Sequence, residues 1–261
     1  MKNVQYAFRY LIYLLRAKDE HSLHSPFLFE LYENVIEPSA EYYKFKEIEA
    51  IRSEMLLSDK TIEVIDLGAG SRVSKSSVRK VSSIAKHAVK QDKFGKLLFR
   101  LVNHFKPKTI LELGTSLGVT TSYLATTNSQ QQVITFEGCP NISAIAEKNF
   151  QKLDLKNVKQ VLGNFDKTLP IELVNTDKID FVYIDGNHRK EPTLTYFKQL
   201  LEKSHNETIL VFDDIHWSSE METAWREIKK SSNVSVTIDL FYLGIVFLRK
   251  ELAKQDFVLK F

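Results

Sequence analysis

From Thr109 onward the chain repeats one pattern: a short apolar segment rich in β-branched residues, then a stretch long enough for a helix. The apolar segments are TILELG, QVITFE, VKQVLG, IDFVYID and TILVFDD. Strands alternating with helices imply a mostly parallel sheet with helices on both faces, because each crossover carries the chain back to the same edge. The rhythm breaks at the tail. VSVTIDL and LGIVFLR are separated only by Phe241 and Tyr242, which leaves no room for a helix. These two segments should pair antiparallel as a hairpin. The expected class is α/β, a doubly wound and mostly parallel sheet with a C-terminal antiparallel hairpin.

The segment before this rhythm reads differently. Tyr6, Tyr10, Tyr13 and Leu14 recur at helical spacing, and Ser25-Pro26 marks a break between helices. Tyr6, Phe8, Tyr10, Tyr13, Phe27, Phe29, Tyr32, Tyr42, Tyr43 and Phe45 crowd this region. They are expected to pack a mostly helical N-terminal cap onto the main domain, ahead of lining a substrate pocket. The expected organisation is a cap with a basic segment over residues 1–95 and a catalytic domain over residues 96–261.

Composition narrows the partners. A formal net charge of +3 is too mild to imply nucleic acid. Cys139 is the only cysteine, so no intramolecular disulfide and no Cys-rich zinc site can form. The apolar run Tyr10–Leu15 is bracketed by Arg9 and Arg16, too short for a membrane span and without a signal-peptide cleavage pattern. A cytoplasmic protein acting on a small molecule is expected, with a homodimer left open.

Two strand-then-glycine signals compete for a nucleotide-like ligand: VIDLGAGS (64–71) and ILELGTSLG (110–118). A Rossmann-like site also needs the next strand to end in an acidic residue that accepts from ribose hydroxyls. After the second loop QVITFE ends at Glu137, 25 residues beyond Glu112. After the first loop no such strand is expected, since residues 71–96 read as a polar, basic helix. The second loop is therefore the expected cofactor loop. Gly114 lets the chain turn off the strand and Gly118 lets the following helix pack close. Glu112, at the strand end, suits the ammonium of a methionine moiety. Ser116 stands where dinucleotide enzymes carry a second glycine. That close approach serves a pyrophosphate, and S-adenosylmethionine has none.

LELGTSLGVTT, FEGCP, LGNFDKTLP, FVYIDGNH and ILVFDDIHW, in this order, resemble the motifs of class I S-adenosylmethionine-dependent methyltransferases. Among these, the catechol-type cation-dependent O-methyltransferases are the most similar. The resemblance covers residues 96 to about 250. It implies that Glu112, Gly114, Thr115, Ser116 and Gly118 surround the methionine part of S-adenosylmethionine, that Glu137 holds the ribose, and that Cys139 lies beside the adenine. Asn164 stands where many members have Asp against the adenine amine, and its carbonyl can still accept that bond. A turn residue after a strand is the other reading of Asn164.

Asp185 closes the fourth strand, and Asp213 and Asp214 close the fifth. Both ends should lie on one sheet edge, where three carboxylates would repel unless a cation or donors intervene. Oxygen ligands suit Mg²⁺, Mn²⁺ or Ca²⁺. In the resembling family the matching positions are Asp, Asp and Asn and hold Mg²⁺; here Asp214 replaces the Asn. A metal-free alternative stays open, with Asp185 binding the cofactor amine. His188, three positions after Asp185, is the expected general base. His216 competes for that role, although a loop histidine is its plainer reading, and Trp217 is either a pocket wall or packing.

Residues 71–96 hold eight Lys and Arg against Asp92 alone. On one helix, Arg72, Lys75, Arg79, Lys86 and Lys90 would share an arc of about 60°. An ordinary solvated face is the first reading, and attraction of an anionic substrate the second. The leading expectation is O-methylation of a small molecule. An NAD-dependent oxidoreductase and a methyltransferase-like binding module without turnover are the alternatives. Oxygen is favoured over nitrogen because no Asn/Asp-Pro-Pro-Tyr motif occurs.

Overall fold

The computed structural model of the chain describes residues 2–19, 25–38, 42–65 and 77–261. By its internal contacts the chain forms two compact units, Ser39–Glu172 and the pair of segments Met1–Pro38 with Leu173–Phe261. No described helix is long and apolar enough to cross a membrane.

In the unit Ser39–Glu172, β3 (Thr109–Leu113), β4 (Gln132–Glu137) and β5 (Val158–Leu162) run parallel in that order. The crossovers are α6 (Val119–Ala125) and α7 (Pro140–Lys152). Strands β3 and β4 are buried almost throughout because both faces are covered. Ahead of them, α3 (Lys44–Leu56) buries Phe45, Ile48, Ile51 and Met55, a helical stripe. That stripe joins a core with Phe99, Leu117, Tyr123 and Cys139. The ring of Phe45 sits 5.0 Å from that of Phe99, and Tyr123 donates from its hydroxyl to Glu49 at 2.8 Å.

The basic segment departs from the single helix expected of residues 71–96. Residues 66–76, which include Arg72, Lys75 and most of VIDLGAGS, lie outside the described residues. Beyond them come β2 (Val78–Lys80), α4 (Val81–His87) and, after a break, α5 (Asp92–Phe105). Strand β2 pairs antiparallel with β1 (Thr61–Glu63), so a strand does follow the first glycine loop. Its end is Lys80, which is not acidic and pairs with Asp59 at 2.9 Å. Arg79 lies on a strand, Lys86 on a helix and Lys90 past that helix's end, so these three form no common helical stripe. The physical reason is the upstream partner: pairing with β1 satisfies the backbone of residues 77–81, through Val64 N–H to Ser77 O and Val81 N–H to Lys60 O. Val81, Ile84 and Ala85 do form the buried face of α4.

In the other unit, β6 (Ile179–Ile184) and β7 (Ser204–Asp213) are parallel, joined through α9 (Lys190–Leu201). After α10 (Ser219–Lys230), β8 (Val236–Asp239) and β9 (Leu243–Phe247) form the expected antiparallel hairpin, and β9 also pairs antiparallel with β7. A further strand, β10 (Gln255–Val258), adds parallel to β8 and was not read from sequence. The cap helices α1 (Lys2–Arg16) and α2 (Pro26–Leu31) come from the N-terminal segment, and a π-helix over Tyr32–Ile36 continues α2. Pro26 opens α2, where its missing N–H costs nothing.

Part of the aromatic crowd packs as expected, while Phe8, Tyr10, Phe29 and Tyr43 are exposed. Tyr6, Tyr10 and Tyr13 of α1 surround Phe241 with ring centroids 5.3, 4.9 and 5.3 Å away. Phe27 meets Phe247 at 5.1 Å. Phe241 occupies the tight β8–β9 turn at φ 67°, a left-handed conformation unfavourable for a side-chain-bearing residue. Its aromatic burial offsets that strain. Arg9 of α1 adds a 2.9 Å ion pair to Glu222 and a hydrogen bond to Ser219.

His216 belongs to this packing. Its ring stacks on Phe241 at 5.1 Å, its Nε2 lies 2.8 Å from Asp239 and its Nδ1 3.3 Å from Glu222. Burial opposes its charge, but the bond and charge of Asp239, followed by those of Glu222, outweigh burial and raise its pKa above 6.5. Both ring nitrogens of His216 face carboxylates, which favour its charged form. A pKa raised on folding gives stability that is complete below about pH 6.5 and lost as pH rises through the folded value. Urea unfolding between pH 5.5 and 9 should show this decline, and His216→Gln should flatten it. An unchanged slope in the variant would remove His216 as its source.

Candidate functional site

The residues singled out from sequence fall into one group within each compact unit. The first is built on the loop from Gly114 to Gly118. Its backbone leaves β3 through three positive φ values: Gly114 at 113°, Ser116 at 48° and Gly118 at 80°. Gly114 and Thr115 both donate backbone N–H bonds to Phe136 O at 3.0 Å, which ties the loop to the end of β4. Below it Glu112 is fully buried. Its Oε2 accepts from the hydroxyls of Thr121 and, at 2.6 Å, Thr135; Thr135 in turn contacts the Thr115 hydroxyl at 2.6 Å. The sequence reading missed Thr121 and Thr135. Their signal was weak, because a buried threonine on a helix or strand reads as an ordinary core position.

Glu137 ends β4. One carboxylate oxygen accepts the Ser116 N–H and the other the Cys139 N–H, both at 2.9 Å. A single acidic side chain thus braces the glycine loop and the start of α7. Cys139 is fully buried. Its thiol packs in the core beside β1, accepting from Ile65 N–H at 3.4 Å, and Asn141 donates to Glu63 O at 2.8 Å. Asn164 precedes α8 (Phe165–Val174), and its side-chain oxygen accepts the Asp166 N–H at 2.8 Å. That bond is a helix-start cap and uses one of the oxygen's two acceptor directions.

The second group lies at the ends of β6 and β7. Ile184 is in register with Phe212, so the next residues, Asp185 and Asp213, emerge side by side. Ligand-type atoms of Asp185, His188 and Asp213 lie within 4.8 Å of one another. Asp213 is almost completely buried. The loop carrying His188 is pinned by Asn187, at φ 52°, which donates to Tyr196 Oη at 3.1 Å and accepts from Arg189 Nε at 2.8 Å. Asp214 was expected in this set and does not join the group. It adopts φ 52° and its carbonyl accepts the Trp217 N–H at 2.9 Å, because the chain turns there at the strand end. The Trp217 ring meets Tyr6 edge-on at 6.2 Å, a packing contact. Two carboxylates and an imidazole this close suit a divalent cation.

Residues 111–215 match the family model of a methyltransferase domain. This range contains both groups. The catechol O-methyltransferase of Niastella koreensis is 33% identical over 125 residues, 46% of this chain and 55% of that protein. The catechol O-methyltransferase of Mycobacterium tuberculosis is 28% identical over 123 residues, 46% of this chain and 54% of that protein. The chain spans about half the length of these curated relatives. Among solved structures, a Podospora anserina methyltransferase bound to S-adenosylhomocysteine has a TM-score of 0.60 at 14% identity, covering 80% of this chain and 89% of that one. An O-methyltransferase from Bacillus cereus has a TM-score of 0.54 at 19% identity, covering 85% and 97%. At such identities the likeness establishes the fold, a Rossmann-like α/β methyltransferase fold.

Proposed function

We propose that this chain transfers the methyl group of S-adenosylmethionine to an oxygen of a small molecule. The observation that carries the reading is Glu137: an acidic residue ending the strand after the glycine loop and fixed there by two backbone N–H groups. On this reading the loop 114–118 and Glu112 receive the methionine part, Glu137 the ribose, and the backbone at Cys139 with Asn164 the adenine. Asp185, His188 and Asp213 receive the acceptor. Residues 96–261 then hold every residue of the reaction, with 1–95 as the cap. A lone buried thiol fits a reducing, cytoplasmic setting.

The acceptor oxygen forms a bond to the methyl carbon while the carbon–sulfur bond breaks, its electron pair staying on sulfur. The acceptor's proton passes to His188, the general base on this reading. The chain's task is to align oxygen, carbon and sulfur and to favour the ionised acceptor, so positioning supplies much of the rate. A divalent cation held by Asp185 and Asp213 would lower the hydroxyl pKa. Nothing favours the oxidoreductase alternative: the glycine spacing is wrong for a pyrophosphate, and the similar proteins are methyltransferases.

Calorimetry with S-adenosylmethionine, S-adenosylhomocysteine and NAD tests the cofactor. The first two should bind and NAD should not; tight NAD binding alone would overturn the reading. Catechol is the first acceptor to assay, since both curated relatives are named for it. Excess chelator should abolish turnover and added Mg²⁺ or Mn²⁺ should restore it. Full turnover in chelator would leave a metal-free transferase.

A further inference from the structure

We infer that the outward face of α1 is a docking surface for an anionic lipid bilayer, with the helix lying in the headgroup plane and not crossing the membrane. The inference goes beyond the methyl-transfer reading and does not depend on it.

Helix α1 is apolar on two sides. Tyr6, Tyr10 and Tyr13 recur at i, i+4 and i+7 and turn to Phe241. Phe8, Leu11 and Leu15, at i, i+3 and i+7, form a second stripe. At about 100° per residue the two stripes point in nearly opposite directions. The second stripe is bare: Phe8 is 61% exposed, Leu11 53% and Leu15 80%, with Leu14 beside them at 45%. Single exposed apolar side chains are ordinary, but a contiguous run of them along one helix marks an interaction surface.

Charge decides what covers it. Residues 5–18 contain Arg9, Arg16 and Lys18 and no Asp or Glu. Gln5, Arg9 and Arg16 share one flank of the helix, within an arc of about 40°. That flank lies roughly a quarter turn from the bare stripe, so Arg16 stands at headgroup level when the leucines are inserted. Arg9 is held by Glu222 at 2.9 Å, while Arg16 and Lys18 are exposed. Lys260 joins them: its backbone N–H donates to Lys18 O at 3.0 Å, and its ammonium stands 4.0 Å from Asp19. At this end of α1 the basic groups Arg16, Lys18 and Lys260 outnumber the neighbouring carboxylates, Asp19 and Glu37. A second copy packed stripe against stripe would bring these cations no carboxylate from its own α1, because residues 5–16 have none. Anionic headgroups supply that counter-charge and acyl chains the apolar cover. Exposed leucine and phenylalanine flanked by arginine and lysine are the pattern of an interfacial helix.

The test is flotation of the full chain with vesicles of phosphatidylserine and phosphatidylcholine in equal parts, against vesicles of phosphatidylcholine alone. Wild type should bind the anionic vesicles at least about tenfold more tightly, and raised salt should weaken that binding. Leu11→Gln with Leu15→Gln should lose at least about tenfold in affinity, through the lost apolar contact. Arg16→Ser with Lys18→Ser should also lose about tenfold or more, on the anionic vesicles. Leu57→Gln, at an equally bare leucine on another helix end, should bind as wild type does. Circular dichroism melts identify folded variants, and S-adenosylhomocysteine calorimetry on the same samples reads the cofactor site separately. No vesicle binding by wild type, equal binding to both vesicle types, or wild-type binding by the folded Leu11/Leu15 variant would overturn the inference. So would a wild-type dimer in light scattering that the Leu11/Leu15 variant turns into a monomer, because the stripe would then be covered by a second copy.

Discussion

Replacing Glu137 with Ala is expected to weaken S-adenosylhomocysteine binding by about 10–100-fold or more. The figure follows from a charge-assisted hydrogen bond to a ribose hydroxyl, worth about 1.5–3 kcal/mol, with tenfold in affinity for each 1.4 kcal/mol. The fold raises the stake further. The same carboxylate accepts the N–H groups of Ser116 and Cys139. Its loss leaves both donors without that acceptor and loosens a loop held at φ 48°. Glu137→Gln should be nearly as damaging, because one end of the amide would point an N–H at a backbone N–H. Calorimetry on folded variants decides the matter, and wild-type affinity in both would remove Glu137 from the cofactor contacts.

Gly118→Val should produce the largest loss of stability among substitutions at the site. Gly118 sits at φ 80°, and a Cβ built there would lie 2.6 and 2.8 Å from the Phe150 ring and 3.1 Å from Ala146 Cβ. Phe150 and Ala146 are both buried on α7, so neither can withdraw without opening the core. Left-handed strain costs roughly 1–2 kcal/mol and overpacking typically about 1–3 kcal/mol. Together these take a large share of a total stability of about 5–15 kcal/mol. For a chain of this size the melting temperature should fall by roughly 5–20 °C. A thermal melt within about 2 °C of wild type would show that α7 yields easily, contrary to this packing argument.

The strands of the parallel part were legible because each carries its own signal. TILELG, QVITFE and IDFVYID are buried on both faces, and such strands read as continuous apolar runs with turn residues at their ends. The β8–β9 hairpin was legible for a local reason too, since two residues cannot hold a crossover. Gly114, Gly118 and Glu137 could be placed because they sit at strand ends, where sequence position fixes location. By contrast, β2 and β10 are short and partly polar, and each exists through a partner distant in sequence. Periodicity is blind to such a partner, so residues 77–80 read as helix.

The sequence by itself determined the strands of the parallel part and the β8–β9 hairpin, their order, and which acidic residues end those strands. Only the tertiary structure decided how those residues are used. It gathered ligand-type atoms of Asp185, His188 and Asp213 within 4.8 Å of one another. It bound both nitrogens of His216 to Asp239 and Glu222, and it gave Glu137 a bracing role beside its expected ligand role. The physical reason is the range of the forces. Strand and turn formation depends on neighbours a few residues away. The direction of a side chain and its choice of hydrogen-bond partner depend on backbone dihedrals and on residues 20 or more positions distant, as with Thr135 on Glu112 and Asp239 on His216.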